Sequence, residues 1–375
     1  MKLQRMNRRA LTLGALAVSG ALALTACGSD DTGDKSSPSA SSAAKAGSIK
    51  CDDAKGQLLA DGSSAQKNAI DAWVAQFSQA CSGVQINYKG QGSGAGVTAF
   101  TQGQVAFAGS DSALKPEEIE ASKQVCKGGQ AVDLPMVGGP IAVGYNLPGV
   151  DNLVLDAETL AKIFDGQIKK WDDAAIKKLN PDAKLPSTKI QAFHRSDESG
   201  TTDNFTKYLK AAAPSIWGKY AGGKAWEAKD GQSAPQSSGV AAQVKQTAGA
   251  IGYFELSYAK DMSTVSIATG ASAPVKATVD NATKAIADAK VVGTGKDLAL
   301  ELNYGTKADG AYPIVLVTYE IACDKGNKAD TLPATKAFLR YLASTDGQSV
   351  LTQNDYAPIP DAIITKVRST IEGLS

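Results

Sequence analysis

Three glycine- and hydroxyl-rich segments carry the residues best suited to chemistry. They are Asp61-Gly62-Ser63-Ser64-Ala65-Gln66, Gly90-Gln91-Gly92-Ser93-Gly94-Ala95-Gly96-Val97, and His194-Arg195-Ser196-Asp197-Glu198-Ser199-Gly200-Thr201-Thr202. Each stands where a strand pattern gives way to a helix pattern, which is where open α/β sheets hold their ligands. A helix start leaves backbone N–H groups unpaired and carries about half a positive charge, so it suits a tetrahedral oxyanion. Glycine lets the backbone approach closely, and Ser or Thr in the same turn adds a hydroxyl donor. Arg195 adds a forked cation that matches phosphate or sulfate.

Rival chemistries find less support. The run Gly218–Ala225 has P-loop-like glycine and lysine spacing, but it ends in alanine and follows no strand. Gly90, Gly92, Gly94 and Gly96 do not fit G-x-G-x-x-G, because position 95 is alanine. There is no G-x-S-x-G elbow, and His194 is the single histidine, so a serine nucleophile at Ser93 or Ser199 has one imidazole to draw on. His194 is read as a strand-end or cleft-rim residue. One histidine, and five cysteines without C-x-x-C spacing, argue against a metal site, and no cofactor is called for. With 39 basic and 38 acidic residues the net charge is +1, which does not suggest nucleic-acid binding.

The elements that must position these loops follow from periodicity. Strands are expected at Gly56–Ala60, Val84–Tyr88, Val105–Gly109 and Ile251–Phe254, with longer apolar runs at Met136–Tyr145 and Tyr312–Ile321. Helices are expected at Ala65–Cys81, Gly96–Gln102, Ala157–Ile163, Trp171–Leu179, Thr201–Ala211, Val240–Gln246, Ala334–Thr345 and Ala362–Leu374, with a strand-like stretch at Gln348–Ala357. Lys169–Asp173 reads as a solvated turn and helix start. Strand–helix–strand units of this size give an α/β architecture with a mainly parallel sheet. Two long strands flanking an internal block suggest two lobes joined by two crossovers: residues 50–138 with 310–375, and residues 139–309.

Residues 1–26 combine Lys2, Arg5, Arg8 and Arg9 with an apolar run, as an export signal does. The run ends in Leu24-Thr25-Ala26-Cys27-Gly28, which resembles a bacterial lipobox with Cys27 as the lipidated residue. Loss of those four charges would take the net charge to −3. Residues 27–49 are rich in Ser, Ala and Gly and read as a flexible tether. An extracytoplasmic, lipid-anchored, monomeric body follows. In that oxidising setting Cys51, Cys81, Cys126 and Cys323 form an even set with three possible pairings. Cys51–Cys81, which brackets one helical segment, is favoured, leaving Cys126 with Cys323.

Over residues 58–375 the chain resembles the phosphate-binding lipoproteins of bacterial ABC-type phosphate importers. The resemblance rests on GSGAGV (92–97), FAGSDSAL (107–114), LAKIFDGQIKKWDDAAIKKLNP (160–181), HRSDESGTTDNFTKYL (194–209) and GAIGYFELSYA (249–259). It implies the two-lobed periplasmic-binding-protein fold of type II, hinged on two crossover strands. It also implies a non-enzymatic receptor that closes on inorganic phosphate and docks on a membrane permease. By that resemblance the ligand contacts are Ser64, the Ala65 N–H, Ser93, Asp111, Arg195, Ser199, Gly200 and Thr201, with Asp197 holding the arginine fork. Glu198 stands where many relatives have glycine. An unprotonated Asp111 repels a fully ionised oxyanion but accepts a proton from phosphate, which sets phosphate apart from sulfate. The alternatives are a receptor for another oxyanion, such as sulfate or a phosphonate, or an extracellular phosphatase.

Overall fold

The computed structural model describes residues 49–375. The export signal, Cys27 and all but the end of the tether lie outside the described residues. The first elements are β1 (Gly56–Gly62), α1 (Lys67–Ala80), β2 (Val84–Tyr88), α2 (Ser93–Thr101), β3 (Phe107–Ser110), α3 (Pro116–Ser122) and the long β4 (Ala131–Asn146). The middle block runs β5 (Val154–Asp156), α4 (Ala157–Phe164), α5 (Ala174–Leu179), β6 (Gln191–Arg195), α6 (Gly200–Ala212), α7 (Pro214–Trp217), β7 (Gln232–Ala234), α8 (Gln236–Gln246) and β8 (Ala250–Glu255). Then come β9 (Ser263–Thr264), β10 (Ser266–Ala268), α9 (Val279–Ala287), β11 (Lys290–Val291) and β12 (Leu300–Glu301). The chain closes with β13 (Val315–Cys323), α10 (Leu332–Ala343), α11 (Thr345–Thr352) and α12 (Asp361–Glu372).

One curled sheet runs β2-β1-β3-β13-β4-β8-β6-β7, with β9 added beside β4. The flanks are parallel, β1 with β2 and β3, and β6 with β7 and β8. The centre is antiparallel, since β13 pairs with both β3 and β4, and β4 with β8. β4 serves both halves: residues 131–140 pair with β13, and residues 141–146 pair with β8. Proline cannot donate to a ladder, and both prolines of this central strand sit where the ladder is irregular. Pro135 lies at the register shift beside Thr318 and Tyr319, and Pro140 at the change of partner. This is a two-lobed α/β sheet with β4 and β13 crossing between the halves.

Helices cover the sheet because their apolar residues recur at helical spacing: α1 buries Ala69, Ile70, Trp73 and Phe77. The Trp73 indole N–H donates to Gly347 O at 2.7 Å, tying α1 to α11. Most boundaries fall within a few residues of the sequence expectation. The strand-like reading of Gln348–Ala357 does not hold. Ser344 Oγ accepts from Gly347 N at 3.0 Å and starts α11, so only Ala357 reaches the sheet, bridging Gly138. The Lys169–Asp173 turn does precede α5, capped by Asp173, but Trp171 is fully buried and its indole donates to Gly249 O at 3.0 Å. Residues 294–300, inside the block read as the second lobe, reach back to the first half of β4 and to β13: Leu298 N donates to Asp133 O, and Leu300 N to the Tyr319 hydroxyl.

Both favoured disulfides are formed, Cys51–Cys81 spanning 30 residues and Cys126–Cys323 spanning 197. On the chain-entropy account the stabilisation grows with the logarithm of loop length, giving about 3.5 kcal/mol for the first and about 5 kcal/mol for the second. Serine replacement of Cys126 with Cys323 should lower the free energy of guanidinium unfolding more than replacement of Cys51 with Cys81. The reverse order would show that native-state contacts, not loop closure, set the effect.

Candidate functional site

Five loops meet at the carboxyl ends of parallel strands. β1 ends at Gly62 and delivers Ser63, Ser64 and Ala65. β2 leads to Gly92 and Ser93, and β3 ends beside Asp111. From the other half, β6 delivers Arg195 to Gly200, and β7 delivers Ser237. Of the expected site residues, Ser64, Ala65, Ser93, Asp111, Arg195, Ser199 and Thr201 are each no more than 4% exposed. Gly200 is buried with them, and Asp197 is half-buried at the rim.

Hydrogen bonds bring them together in two connected groups. Ser93 Oγ accepts from Asp111 N and from Gly200 N, both at 3.1 Å, so one hydroxyl joins the two halves. The Thr201 hydroxyl donates to Asp111 Oδ2 at 3.1 Å, and the Thr318 hydroxyl on β13 donates to Oδ1 at 2.8 Å. In the second group Ser64 Oγ accepts from Ser237 N at 3.0 Å, and Arg195 Nη1 donates to Ser237 Oγ at 3.5 Å. Asp197 grips the arginine fork from below: Nε donates to Oδ1 at 2.8 Å and Nη2 to Oδ2. Gln236 N also donates to Asp197 Oδ1 at 2.9 Å. Ser199 caps α6 through Thr202 N. Ala65 N–H, expected to face the ligand, donates instead to Ser63 Oγ at 3.0 Å.

The two acids are shifted in opposite directions. Burial pushes the Asp111 carboxyl above its usual range, although Ser63, Thr318, Arg195 and Thr201 all favour the ionised form. For Asp197 burial acts the same way, but its bonds to Arg195 prevail and hold it below the usual carboxylate range. Arg195 is thus pinned by a carboxylate partner, while burial works against the charged form of Asp111. That contrast suits a ligand that brings its own proton.

Glycines make the closeness possible. A Cβ at Gly94 would fall 2.4 Å from Glu198 Oε2, and one at Gly92 2.5 Å from Asp197 Oδ2. Gly94 N donates to Glu198 O at 3.0 Å, so the unusual Glu198 keeps its backbone in the contact and lays its side chain over Gly94. A further tie is the ion pair of Lys224 with Glu118 at 2.7 Å, from the run earlier set aside as a poor P-loop. The Lys224 carbonyl accepts from Ser199 N at 2.9 Å, so that loop anchors the α6 start as well.

His194 lies on β6 with its ring stacked on Trp226, centroids 4.8 Å apart, and Nδ1 against Arg195 O. Burial lowers its pKa. Sequence reasoning missed Ser237 and Thr318, and placed Ser63 in the first loop without giving it a role. Ser237 had a signal: Gln232–Gly239 repeats the strand, hydroxyl and helix pattern of the other three loops. Thr318 gave none, since a threonine in an apolar strand is ordinary.

A Cβ at Gly200 would come 2.6 Å from Asp111 Cβ and 2.8 Å from Ser93 Oγ. Gly200→Ala should therefore hold the first turn of α6 off Ser93 and speed amide hydrogen exchange at residues 200–203 by about tenfold or more, with β4 and β13 unchanged. Unaltered exchange would show that the contact has room to spare.

Comparison with known proteins agrees with this architecture. A family model described as a PBP superfamily domain matches residues 40–346. The chain is 43% identical to phosphate-binding protein PstS 3 of Mycobacterium tuberculosis, over 99% of this chain and 100% of that one. It is 40% identical to PstS 2 of the same organism, over 96% and 97%. A solved high-affinity periplasmic phosphate-binding protein bound with phosphate superposes with a TM-score of 0.67 at 22% identity, covering 84% of this chain and 93% of that one.

Proposed function

From the premise that the chain belongs to the PBP superfamily, and to the phosphate-binding proteins within it, we propose that it is an extracytoplasmic receptor that holds inorganic phosphate between its two halves and hands it to an ABC permease. Ser64, Ala65, Ser93, Asp111, Arg195, Ser199, Gly200 and Thr201 form the binding site, with Asp197 fixing the Arg195 fork. For Ala65 this requires its N–H to exchange Ser63 Oγ for the anion. Ser237 and Thr318 are hydrogen-bonded to these residues, Ser237 to Ser64 and Arg195 and Thr318 to Asp111.

The observation that carries the reading is Asp111, a buried acid facing the Thr201 hydroxyl at the start of α6 and lying within the field of Arg195. A helix N-terminus and a guanidinium attract any oxyanion; a carboxyl does not. Phosphate near neutral pH carries a proton that Asp111 can accept in a charge-assisted hydrogen bond, whereas sulfate has none to give. Binding and release then follow from hinge motion about β4 near Pro140 and about the entry to β13 near Val315, where each strand passes from one half to the other. The block of residues 294–300 travels with the half that contains β3, because it is bonded to Asp133 and Tyr319.

Lipidation at Cys27, with residues 27–49 as a tether, would keep the receptor at the membrane as a monomer close to its permease. Two disulfides suit an oxidising compartment. Ser93 and Ser199 act as binding groups and not as nucleophiles: Ser93 Oγ already accepts two N–H bonds, and the one imidazole is engaged with Trp226 and Arg195 O.

Calorimetry on protein stripped of carried-over ligand by refolding should show phosphate preferred over sulfate by roughly 10⁴-fold or more, as expected of a site built around a required hydrogen bond. Asp111→Asn should shrink that ratio by at least about tenfold; equal affinities in the parent, or an unchanged ratio in the variant, would contradict the role. In phosphate-free buffer the raised Asp111 pKa adds a pH signature. A carboxyl whose folded pKa lies above its ordinary 3.8 stabilises fully only below that value and loses the contribution as pH rises. Asp111→Asn should therefore gain stability over the parent as pH is raised from 3.8 toward neutrality.

A further inference from the structure

Behind Asp111 lies a second buried acid that the binding scheme does not use. Glu320 stands on β13, opposite Gly109 of β3 and Leu134 of β4, and is fully buried. Neither of its carboxyl oxygens meets a donor with hydrogen-bonding geometry. The Gln66 side-chain amide lies against it, and Gln66 Oε1 is also a buried acceptor without a donor. A buried carboxyl and a neighbouring buried amide oxygen that both lack a donor point to a missing proton. A neutral carboxylic acid beside a primary amide resolves both, because its O–H donates to the amide oxygen while its carbonyl accepts from the amide N–H.

The amide leads directly to the site. Gln66 Nε2 donates to the Tyr88 hydroxyl at 3.0 Å, and that hydroxyl donates to Ser63 O at 2.8 Å, on the loop that carries Ser64 and Ala65. The chain passes over Gly109 with no clearance: a Cβ there would lie 2.0 Å from Gln66 Nε2 and 2.5 Å from the Tyr88 hydroxyl. The charged and titratable groups around Glu320 are Asp111 beyond β3, Tyr88 on β2 and, acting on Tyr88, Asp61 on β1; on β4, Asp133 is engaged with Leu114 N and Asp297. All are acids or a phenol; burial foremost, and then Asp111, disfavour ionisation of Glu320, against the Gln66 amide, which favours it.

We propose that Glu320 is a positioning residue of the anion site, kept as a neutral acid whose O–H donates to Gln66 Oε1, so that one proton holds the Gln66–Tyr88–Ser63 chain and keeps a second negative charge away from the bound anion. The proposal rests on the cleft being an anion site, but the proton itself can be tested apart from binding.

The linkage runs in one direction. A buried acid with a raised pKa stabilises fully below its ordinary 4.5 and loses that contribution as pH rises toward the folded value. Glu320→Gln supplies the same donor and acceptor without a charge. Its denaturant midpoint should match the parent's below pH 4.5 and exceed it increasingly toward neutral pH. An infrared difference spectrum, parent minus E320Q at neutral pH without phosphate, should contain a protonated-carboxyl C=O stretch. Calorimetric phosphate affinity should stay within about threefold in E320Q and fall by about tenfold in Glu320→Leu, which removes the donor to Gln66. A carboxylate signature in the difference spectrum, or a midpoint difference independent of pH, would overturn the neutral acid. A loss of affinity in E320Q as large as in E320L would overturn the positioning role. Should neither the parent nor the variants bind phosphate, the reading of the site fails while the spectrum and the midpoints still decide the proton.

Discussion

Asp111 is an acceptor buried where two halves of a sheet close on each other, and the surrounding structure is organised around that difficulty. A buried carboxyl without partners is costly in either state. Here it is met on one oxygen by Thr201 from the start of α6 and on the other by Thr318 from the crossover strand. Its own backbone N–H is taken by Ser93, which also receives Gly200 N from the opposite half. The acid is thereby held by elements from both halves at once, so its environment is complete only when they are together.

Specificity and closure then share a cause. On the proposed reading, Arg195 and the helix starts would attract anions in general, while Asp111 would require that the guest bring a proton. Asp197 keeps Arg195 oriented by taking two bonds of the guanidinium fork, leaving Nη1 directed toward Ser237 Oγ and the cleft. The glycines at 92, 94 and 200 have no side chain because the other half occupies the volume one would fill. Lys224 and Glu118 add an ion pair at the edge of the same contact.

Much of this was legible in the sequence because the grammar is local. Alternating apolar runs and helical faces marked the strands and helices, and glycine–hydroxyl loops at their junctions marked Ser64, Ser93 and Ser199. What was hidden depends on long-range packing. Thr318 and Glu320 sit inside Tyr312–Ile321, where the strand pattern absorbs polar residues without comment, and only the pairing with β3 brings them under Asp111 and Gln66. Ser237 was overlooked because the α8 pattern was read from Val240, although the helix begins at Gln236. Gln348–Ala357 looked extended, yet the Ser344 cap turned its first half into a helix.

The most direct test of the central claim is a crystal of the protein grown with arsenate, a protonated tetrahedral oxyanion whose arsenic scatters anomalously. The account predicts one strong anomalous peak between the halves, with its oxygens within hydrogen-bonding distance, about 3 Å, of both the Arg195 guanidinium and the Asp111 carboxyl. A peak on the outer surface, or one that touches Arg195 while Asp111 faces away, would contradict it.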